Sequence, residues 1–190
     1  GGQGGSCPNC GSGVVITDNI IENSGKYTGS SSIYVTNFQG DGTCNTSIPY
    51  FIDLSEVGSP PGNNPTPVTI KGNTITDGSG WGITLDAAGV CLDSNTIYDS
   101  VSAMHISGPG YSNAQSNNNI ISNNAITDNV SGISIVGSGN TFDSNVSHGS
   151  QQFGFKFDSR SQNNIITDNV ADNNAQHGFK FETDSTGHLF

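Results

Sequence analysis

An asparagine that returns at short intervals constrains the fold of this chain more than any other feature. An apolar residue always lies three positions before it, and a turn and a short strand follow it. The six copies are Asn19, Asn73, Asn95, Asn124, Asn145 and Asn169, preceded by Ile16, Ile70, Leu92, Ile121, Phe142 and Ile166. Their separations, as differences of residue numbers, are 54, 22, 29, 21 and 24. A repeat of this length made of short strands is typical of a solenoid.

A second set of apolar residues follows the same period. Two alternating apolar positions lie downstream of each asparagine and mark a strand with one buried face. The pairs are Ile33/Val35, Ile83/Leu85, Met104/Ile106, Ile133/Ile135, Phe155/Phe157 and Phe179/Phe181. Helices are not expected, because no window holds apolar residues at i, i+3, i+4 and i+7 and glycine interrupts every turn. The two landmarks predict an all-β, parallel solenoid of about six coils.

The repeat resembles the right-handed parallel β-helix families, in which Asn-x-Ile-x-x-Asn followed by Gly-Ile-x-Leu marks each coil. The resemblance covers roughly residues 14–185. Pectate lyases, alginate lyases and epimerases, polygalacturonases, phage tailspikes and surface adhesins share this repeat, so the likeness implies a fold but no single function. The residues that carry it are 94–97 with 104–106, 124–126 with 132–135, and the Gly-Phe-Lys-Phe segments at 154–157 and 178–181.

The sequence predicts one domain with an N-terminal extension. Residues 1–13 form a glycine-rich arm with a Cys-x-x-Cys segment, and residues 14–190 form the predicted β-helix. Two insertions, 37–67 and 107–119, interrupt the repeat. Insertions form loops on a solenoid, where binding often resides. The apolar 37–67 loop has a second possible use, which is to cover one face or end of the β-helix.

Composition limits the partners and the location. A formal net charge of −11, with only five Lys and Arg, argues against binding to nucleic acid or to an anionic membrane surface. Membrane insertion is not expected, since no apolar run reaches about 18 residues. Scarce lysine together with four cysteines favours an extracellular or cell-surface protein with one or two disulfides. Three pairings remain open among Cys7, Cys10, Cys44 and Cys91.

The repeated asparagines are predicted to stack at a bend of the solenoid as an internal ladder. Their side-chain amides can bond to one another and to the turn backbone, and asparagine tolerates turn geometry. A different role is predicted for Asn45, which begins an Asn-Thr-Ser sequence in the 37–67 loop and is the candidate glycosylation site.

Three acids are the candidate metal site. Asp77, Asp99 and Asp128 each follow a repeated asparagine by four positions, and three stacked carboxylates would resemble a calcium cage or the acid cluster of a polygalacturonase. The same position in the other coils holds Asn23, Gly149 and Asn173. Because these are turn formers, turn geometry is the favoured interpretation. Calcium at this position is the one cofactor that the sequence leaves open.

The outward face of the second strand carries the candidate catalytic residues. Asp86, His105 and Lys156 are candidates for acid, base and substrate anchor. The candidate carbohydrate-binding residues are Tyr34, His105 and Tyr111. Ser134 is expected to separate His105 from Lys156 by two coil steps, roughly 10 Å. This spacing weakens the catalytic interpretation.

An ion-paired surface is the alternative interpretation of the same face, with Lys156 and Lys180 offset by Asp158 and Glu182. None of the catalytic residues of the resembled enzymes can be carried over position by position. The enzyme reading, as a polysaccharide lyase, epimerase or glycoside hydrolase, is therefore not favoured.

The sequence favours an extracellular structural or adhesive protein. Only nine residues follow the last apolar strand, without an amphipathic capping helix, so another subunit is expected to cover the exposed edges. End-to-end stacking into a filament or fibre follows, which makes a second copy of the chain the expected partner. The alternatives are a piece of a polysaccharide-acting enzyme or tailspike, and a non-catalytic glycan-binding module.

Overall fold

A computed structural model describes residues 14–22, 31–39, 68–76, 78–106 and 116–190 of the chain. These residues form eighteen strands in three parallel sheets of six, and each coil contributes one strand to every sheet. This arrangement is a parallel β-helix, so the predicted all-β fold and the number of coils are confirmed.

Each sheet is built from every third strand of the chain. The first sheet contains, in spatial order, β1 (Val14–Thr17), β4 (Val68–Lys71), β7 (Val90–Asp93), β10 (Ile120–Ser122), β13 (Thr141–Asp143) and β16 (Ile165–Thr167). The second contains β2 (Ile20–Glu22), β5 (Thr74–Thr76), β8 (Thr96–Tyr98), β11 (Ala125–Thr127), β14 (Val146–His148) and β17 (Val170–Asp172). The third contains β3 (Ser31–Gln39), β6 (Trp81–Ala88), β9 (Ser102–Ile106), β12 (Ser131–Ile135), β15 (Phe153–Phe157) and β18 (His177–Phe181).

The second sheet was not predicted from the sequence. We expected a turn directly after each repeated asparagine, but a three-residue strand lies there in every coil. Most of these strands have one apolar residue pointing inward, such as Ile75, Ile97 and Ile126, each fully buried. One inward residue is too little for a period-2 pattern, which explains why the sequence did not reveal these strands.

The predicted apolar landmarks stack on one another inside the β-helix. In the first sheet Ile70, Leu92 and Ile121 stand in register and are fully buried. In the third sheet the alternating pairs also align, and the rings of Phe155 and Phe179 stack with their centroids 4.8 Å apart. Equivalent residues therefore form continuous apolar columns, which is the usual core of a β-helix.

The repeated asparagines form the predicted ladder between the first and second sheets. At a typical rung, the backbone N–H of Asn95 and its Nδ2 both donate to Oδ1 of Asn124, at 2.9 and 3.0 Å. Asn124 donates in the same way to Asn145, and its Nδ2 also reaches the carbonyl oxygen of Leu92. The pattern repeats from Asn19 to Asn169. Every rung from Asn19 to Asn145 thus donates to the following coil.

The other two corners carry related ladders that the sequence did not predict. Between the third and first sheets, Val90 donates its N–H to Asn119, Asn119 donates to Asn140, and Asn140 donates to Asn164. Between the second and third sheets the acceptors are Asn129, which bonds to Ser100 N–H, and Asn174, which bonds to Ser150 N–H. All three corners therefore use side-chain amide oxygens to satisfy backbone donors of the preceding coil.

A residue in the left-handed backbone region precedes each corner position. The φ angles of these residues lie between 52° and 72°, a conformation that Gly, Asn and Asp tolerate best. The residues are Asp18, Gly72, Ser94, Asn123, Ser144 and Asp168 at the first corner, Asp99, Asp128, Gly149 and Asn173 at the second, and Gly89, Asn118, Gly139, Asn163 and Gly187 at the third. This requirement accounts for five glycines and four asparagines of the chain.

The predicted domain boundaries fall partly outside the described residues. The structure does not describe the 1–13 arm or residues 40–67 and 107–115. Residues 37–39, which we assigned to the first insertion, belong to β3. The register between β3 and β6 shifts between Thr36 and Gln39, so the strand is irregular where the insertion begins.

Removal of one ladder side chain should destabilise the whole β-helix. We expect Asn124→Ala to lower the free energy of unfolding by about 3 kcal/mol, because it leaves several buried donors and acceptors of neighbouring coils unpaired. Urea denaturation followed by circular dichroism measures the change. The control is Gln151→Ala, at an exposed position, which should change the stability by less than about 0.5 kcal/mol. Equal effects of the two variants would contradict a stabilising ladder.

Candidate functional site

The outward face of the third sheet carries the candidate catalytic residues. His105 on β9, Ser134 on β12 and Lys156 on β15 stand in register on successive strands. Ser134 thus lies between His105 and Lys156, as the sequence predicted. The structure does not bring the two side chains together, and this separation speaks against a shared catalytic role.

Trp81 joins His105 on this face. Their ring centroids lie 4.9 Å apart, and the ring planes are inclined by only 11°, so the two rings are stacked. Trp81 is half-buried at the start of β6, one coil before His105. Sequence reasoning missed this residue. The available signal was that it is the single tryptophan of the chain and lies two positions before an inward-pointing isoleucine.

Burial favours the neutral form of the His105 imidazole. Burial is the larger influence and lowers the pKa of His105, because a charged ring loses hydration there. The carboxylates of Asp86 and Asp158 act in the opposite direction by stabilising the charged ring, but they do not outweigh burial. Asp86 is itself only 8% exposed. Of the candidate acid, base and anchor, Asp86 and His105 interact electrostatically.

Lys156 is engaged in an ion-paired cluster with its neighbours. Its Nζ lies 3.4 Å from Glu182 and 3.8 Å from Asp158, and Lys180 Nζ lies 2.9 Å from Glu182. The hydrogen bond from Lys180 is the largest influence on the pKa of Glu182, which is lowered. These contacts confirm the ion-paired surface that the sequence suggested as an alternative. Such surface pairs contribute little stability individually.

The described members of the acid triplet lie in turns. Asp99 and Asp128 have φ angles of 53° and 55° and precede the second corner positions. A Cβ at Gly149 in the next coil would collide with the Asp128 carboxylate, so this carboxylate packs over the glycine. Asp77 lies outside the described residues. Within the described ranges, no group of three or more His, Cys, Asp or Glu residues is arranged to hold a metal ion.

Several candidates lie wholly or partly outside the described residues. Tyr34 is in register with Thr84 on the neighbouring strand, but only its backbone is described. The structure does not describe Tyr111 or the glycosylation candidate Asn45. Cys91 is fully buried on β7, next to the inward-pointing Leu92. Its pairing with another cysteine stays a prediction, because the structure does not describe the other candidates, Cys7, Cys10 and Cys44.

A pair of titratable side chains, His148 and Asp172, lies on the second sheet. His148 Nδ1 lies 3.1 Å from Asp172 Oδ2, and both side chains are exposed. Separately, the part of the chain that the structure describes contains no helix long and apolar enough to cross a membrane.

Comparison with known proteins identifies one matching family. The profile of the family described as right handed beta helix region matches residues 61–189, which is more than half of the chain. No curated protein and no solved structure gives a significant match.

Proposed function

Because this chain belongs to the right-handed β-helix family, we propose that it is an extracellular structural or adhesive protein whose β-helices stack end to end. A second copy of the chain is the partner. The stacked copies form a filament or fibre, with the coils of one copy continuing the sheets of the next.

The direction of the ladder hydrogen bonds carries this proposal. From Asn19 to Asn145, the N–H and Nδ2 of each ladder asparagine donate to Oδ1 in the next coil, as Asn73 does to Asn95. Any stack of such coils therefore offers acceptors at its first coil and donors at its last. The sheets can continue in the same direction, since the exposed edge strand of a parallel sheet can form hydrogen bonds to another parallel strand. Two copies are complementary head to tail, and a contact of this kind continues without closing.

The aromatic columns of the third sheet also support head-to-tail stacking. Phe179 and Phe181 on β18 stack on Phe155 and Phe157 with centroids 4.8 and 4.7 Å apart. Their exposed fractions are 37% and 38%, whereas Phe155 and Phe157 in the preceding coil are fully buried. Another coil stacked on β18 would bury this remaining apolar surface, which favours association.

The fibre is tested by electron microscopy of undenatured protein. We expect ordered fibres with an axial repeat of roughly 29 Å for six coils at roughly 4.8 Å each. Association should strengthen with added salt, because the net charge of −11 makes the copies repel one another.

Two variants distinguish stacking from other association. Phe179→Glu places a charge on the stacking surface and should abolish the fibres. The control Val146→Glu places a charge at a position of similar exposure, 42%, on the side of the β-helix, and should leave the fibres intact. Dispersed single particles of the unaltered protein at all salt concentrations would refute the proposed assembly.

The extracellular location rests on the cysteines and on the scarcity of lysine. We expect Cys91 to pair with one of the other three cysteines, as disulfides persist in oxidising compartments. Peptide mapping of natively produced protein without a reductant should find Cys91 in a cross-linked peptide. A free Cys91 thiol in that material would remove this support.

A glycan-binding face is a second candidate function, favoured by the Trp81–His105 stack. A half-buried tryptophan offers a flat apolar surface with a polar edge, as binding sites commonly do. This surface would serve a non-catalytic binding module, or one part of a polysaccharide-acting enzyme or tailspike.

Titration of purified protein with polyuronates tests this second function. Trp81→Ala should weaken binding at least tenfold, if one stacked ring contributes about 1.4 kcal/mol. Tyr98→Ala, on the outward face of the second sheet, is the matched control and should bind like the unaltered protein. Appearance of unsaturated product would establish a lyase, and binding without turnover would establish a module. The absence of any binding would exclude this candidate for polyuronates.

A further inference from the structure

A histidine occupies the place of an asparagine in the ladder at the third corner. In this column Asn119, Asn140 and Asn164 follow one another, each accepting a hydrogen bond from a backbone N–H of the preceding coil. The next acceptor is Nδ1 of His188, which lies 3.3 Å from the N–H of Asn164. Gly187, with a φ of 72°, directly precedes His188. A residue in the left-handed backbone region precedes each asparagine of the column in the same way.

The hydrogen bonds of His188 define its protonation state. Nδ1 accepts from Asn164, so the hydrogen of the neutral ring is on Nε2. Nε2 lies 2.8 Å from Ser185 Oγ, and this hydroxyl donates in turn to the carbonyl oxygen of Ser161 at 3.3 Å. The neutral ring therefore accepts a hydrogen bond from Asn164 at Nδ1 and donates one to Ser185 from Nε2.

His188 belongs to a segment, residues 185–190, that lies against the edge of β16. Within this segment, Thr186 accepts from Asn163 N–H at 3.0 Å, Leu189 accepts from Ile166 N–H at 2.8 Å, and Leu189 N–H donates to Asn164 at 2.9 Å. The imidazole packs against the rings of Phe157 and Phe181, with centroids 5.1 and 5.3 Å away. The segment thus meets the aromatic column at His188 and at Phe190, whose ring centroid lies 5.7 Å from that of Phe181.

The charged groups around His188 do not favour its protonated form. Burial alone lowers the pKa of His188, and no neighbouring charge contributes to the shift. The charged side chains of the strands packed against it form ion pairs with one another on the outward face. The charged residues on these strands and on the adjoining turns are Lys156, Asp158, Arg160, Lys180, Glu182 and Asp184.

We propose that His188 is a pH-sensitive rung, whose neutral ring holds segment 185–190 on the β-helix and whose protonation releases it. A proton on Nδ1 turns the acceptor into a donor that faces the N–H of Asn164, a residue that is fully buried. The buried N–H then has no acceptor, and the charged ring, which lies beside the stacked rings of Phe157 and Phe181, loses part of its hydration. Both changes favour the open segment.

The direction of the pH dependence follows from linkage. The pKa of His188 is lower when the segment is closed than when it is open, where it takes the ordinary value of about 6.5. The open segment therefore binds more protons, and closure loses stability as the pH falls below about 6.5. The equilibrium constant for opening should rise by up to about tenfold per pH unit until the lowered pKa is reached.

Residue-resolved amide exchange measured by NMR tests the proposal. The compared quantity is the protection of each amide, which is the measured exchange rate corrected for the intrinsic pH dependence of amide exchange. The N–H groups of Asn164, Ile166 and Leu189 report opening, because each bonds across the segment contact. The N–H of Ile165 bonds to Asn140 in the preceding coil and serves as an internal control. Between pH 7.5 and 5.5, the three reporters should lose protection and Ile165 should not.

Two variants and one titration complete the test. His188→Asn restores the amide found elsewhere in the column and should make opening independent of pH. His177→Asn, at an exposed histidine of β18, should keep the pH dependence of the unaltered protein. The ring resonances of His188 in the unaltered protein should titrate below about 6.5. The proposal is overturned if opening does not change with pH, if His188→Asn retains the dependence, or if His188 titrates at or above 6.5.

Discussion

The fold depends on one interaction, the donation of a backbone N–H to a side-chain amide oxygen in the next coil. At a corner the backbone leaves the sheet, so its N–H no longer meets the carbonyl of a neighbouring strand. An unpaired, buried N–H costs free energy comparable to a lost hydrogen bond. Asn95, Asn124 and Asn145 remove this cost by placing Oδ1 where a strand carbonyl would have been. The corners can therefore be buried and tightly stacked.

This constraint also explains why residues that look chemically active serve the backbone. Asp99 and Asp128 lie in left-handed turns, where a short polar side chain is favoured for its conformation. The apparent acid triplet arises because corner positions recur once per coil. The residues free of that constraint are on the outward rows of the sheets, where His105, Trp81 and Lys156 lie. In the described part of the chain, side chains without a role in the turns are therefore found on the outward sheet faces.

The sequence predicted those parts of the fold in which one position is repeated with little variation. The apolar columns and the first ladder keep their residue types in all six coils, so their period is visible. The other two corners vary more, since Ser100 and Ser150 alternate with Asn129 and Asn174, and no single residue type marks the period. Trp81 was missed for a related reason. Its contact with His105 joins two coils, and a residue that occurs once has no period.

The histidine rung shows what the ladder position requires. The amide oxygen of an asparagine rung can accept two hydrogen bonds, as Asn140 Oδ1 does from the N–H and Nδ2 of Asn119. His188 Nδ1 has one lone pair and accepts once, from the N–H of Asn164, while Asn164 Nδ2 bonds to Gly137 and Ser161 instead. The His188 contact is also the longest of the column at 3.3 Å. The substitution therefore exchanges a hydrogen bond to an amide oxygen, which does not titrate, for a longer bond that a proton removes. Only a histidine, whose ordinary pKa lies near 6.5, makes such an exchange in the range of physiological pH.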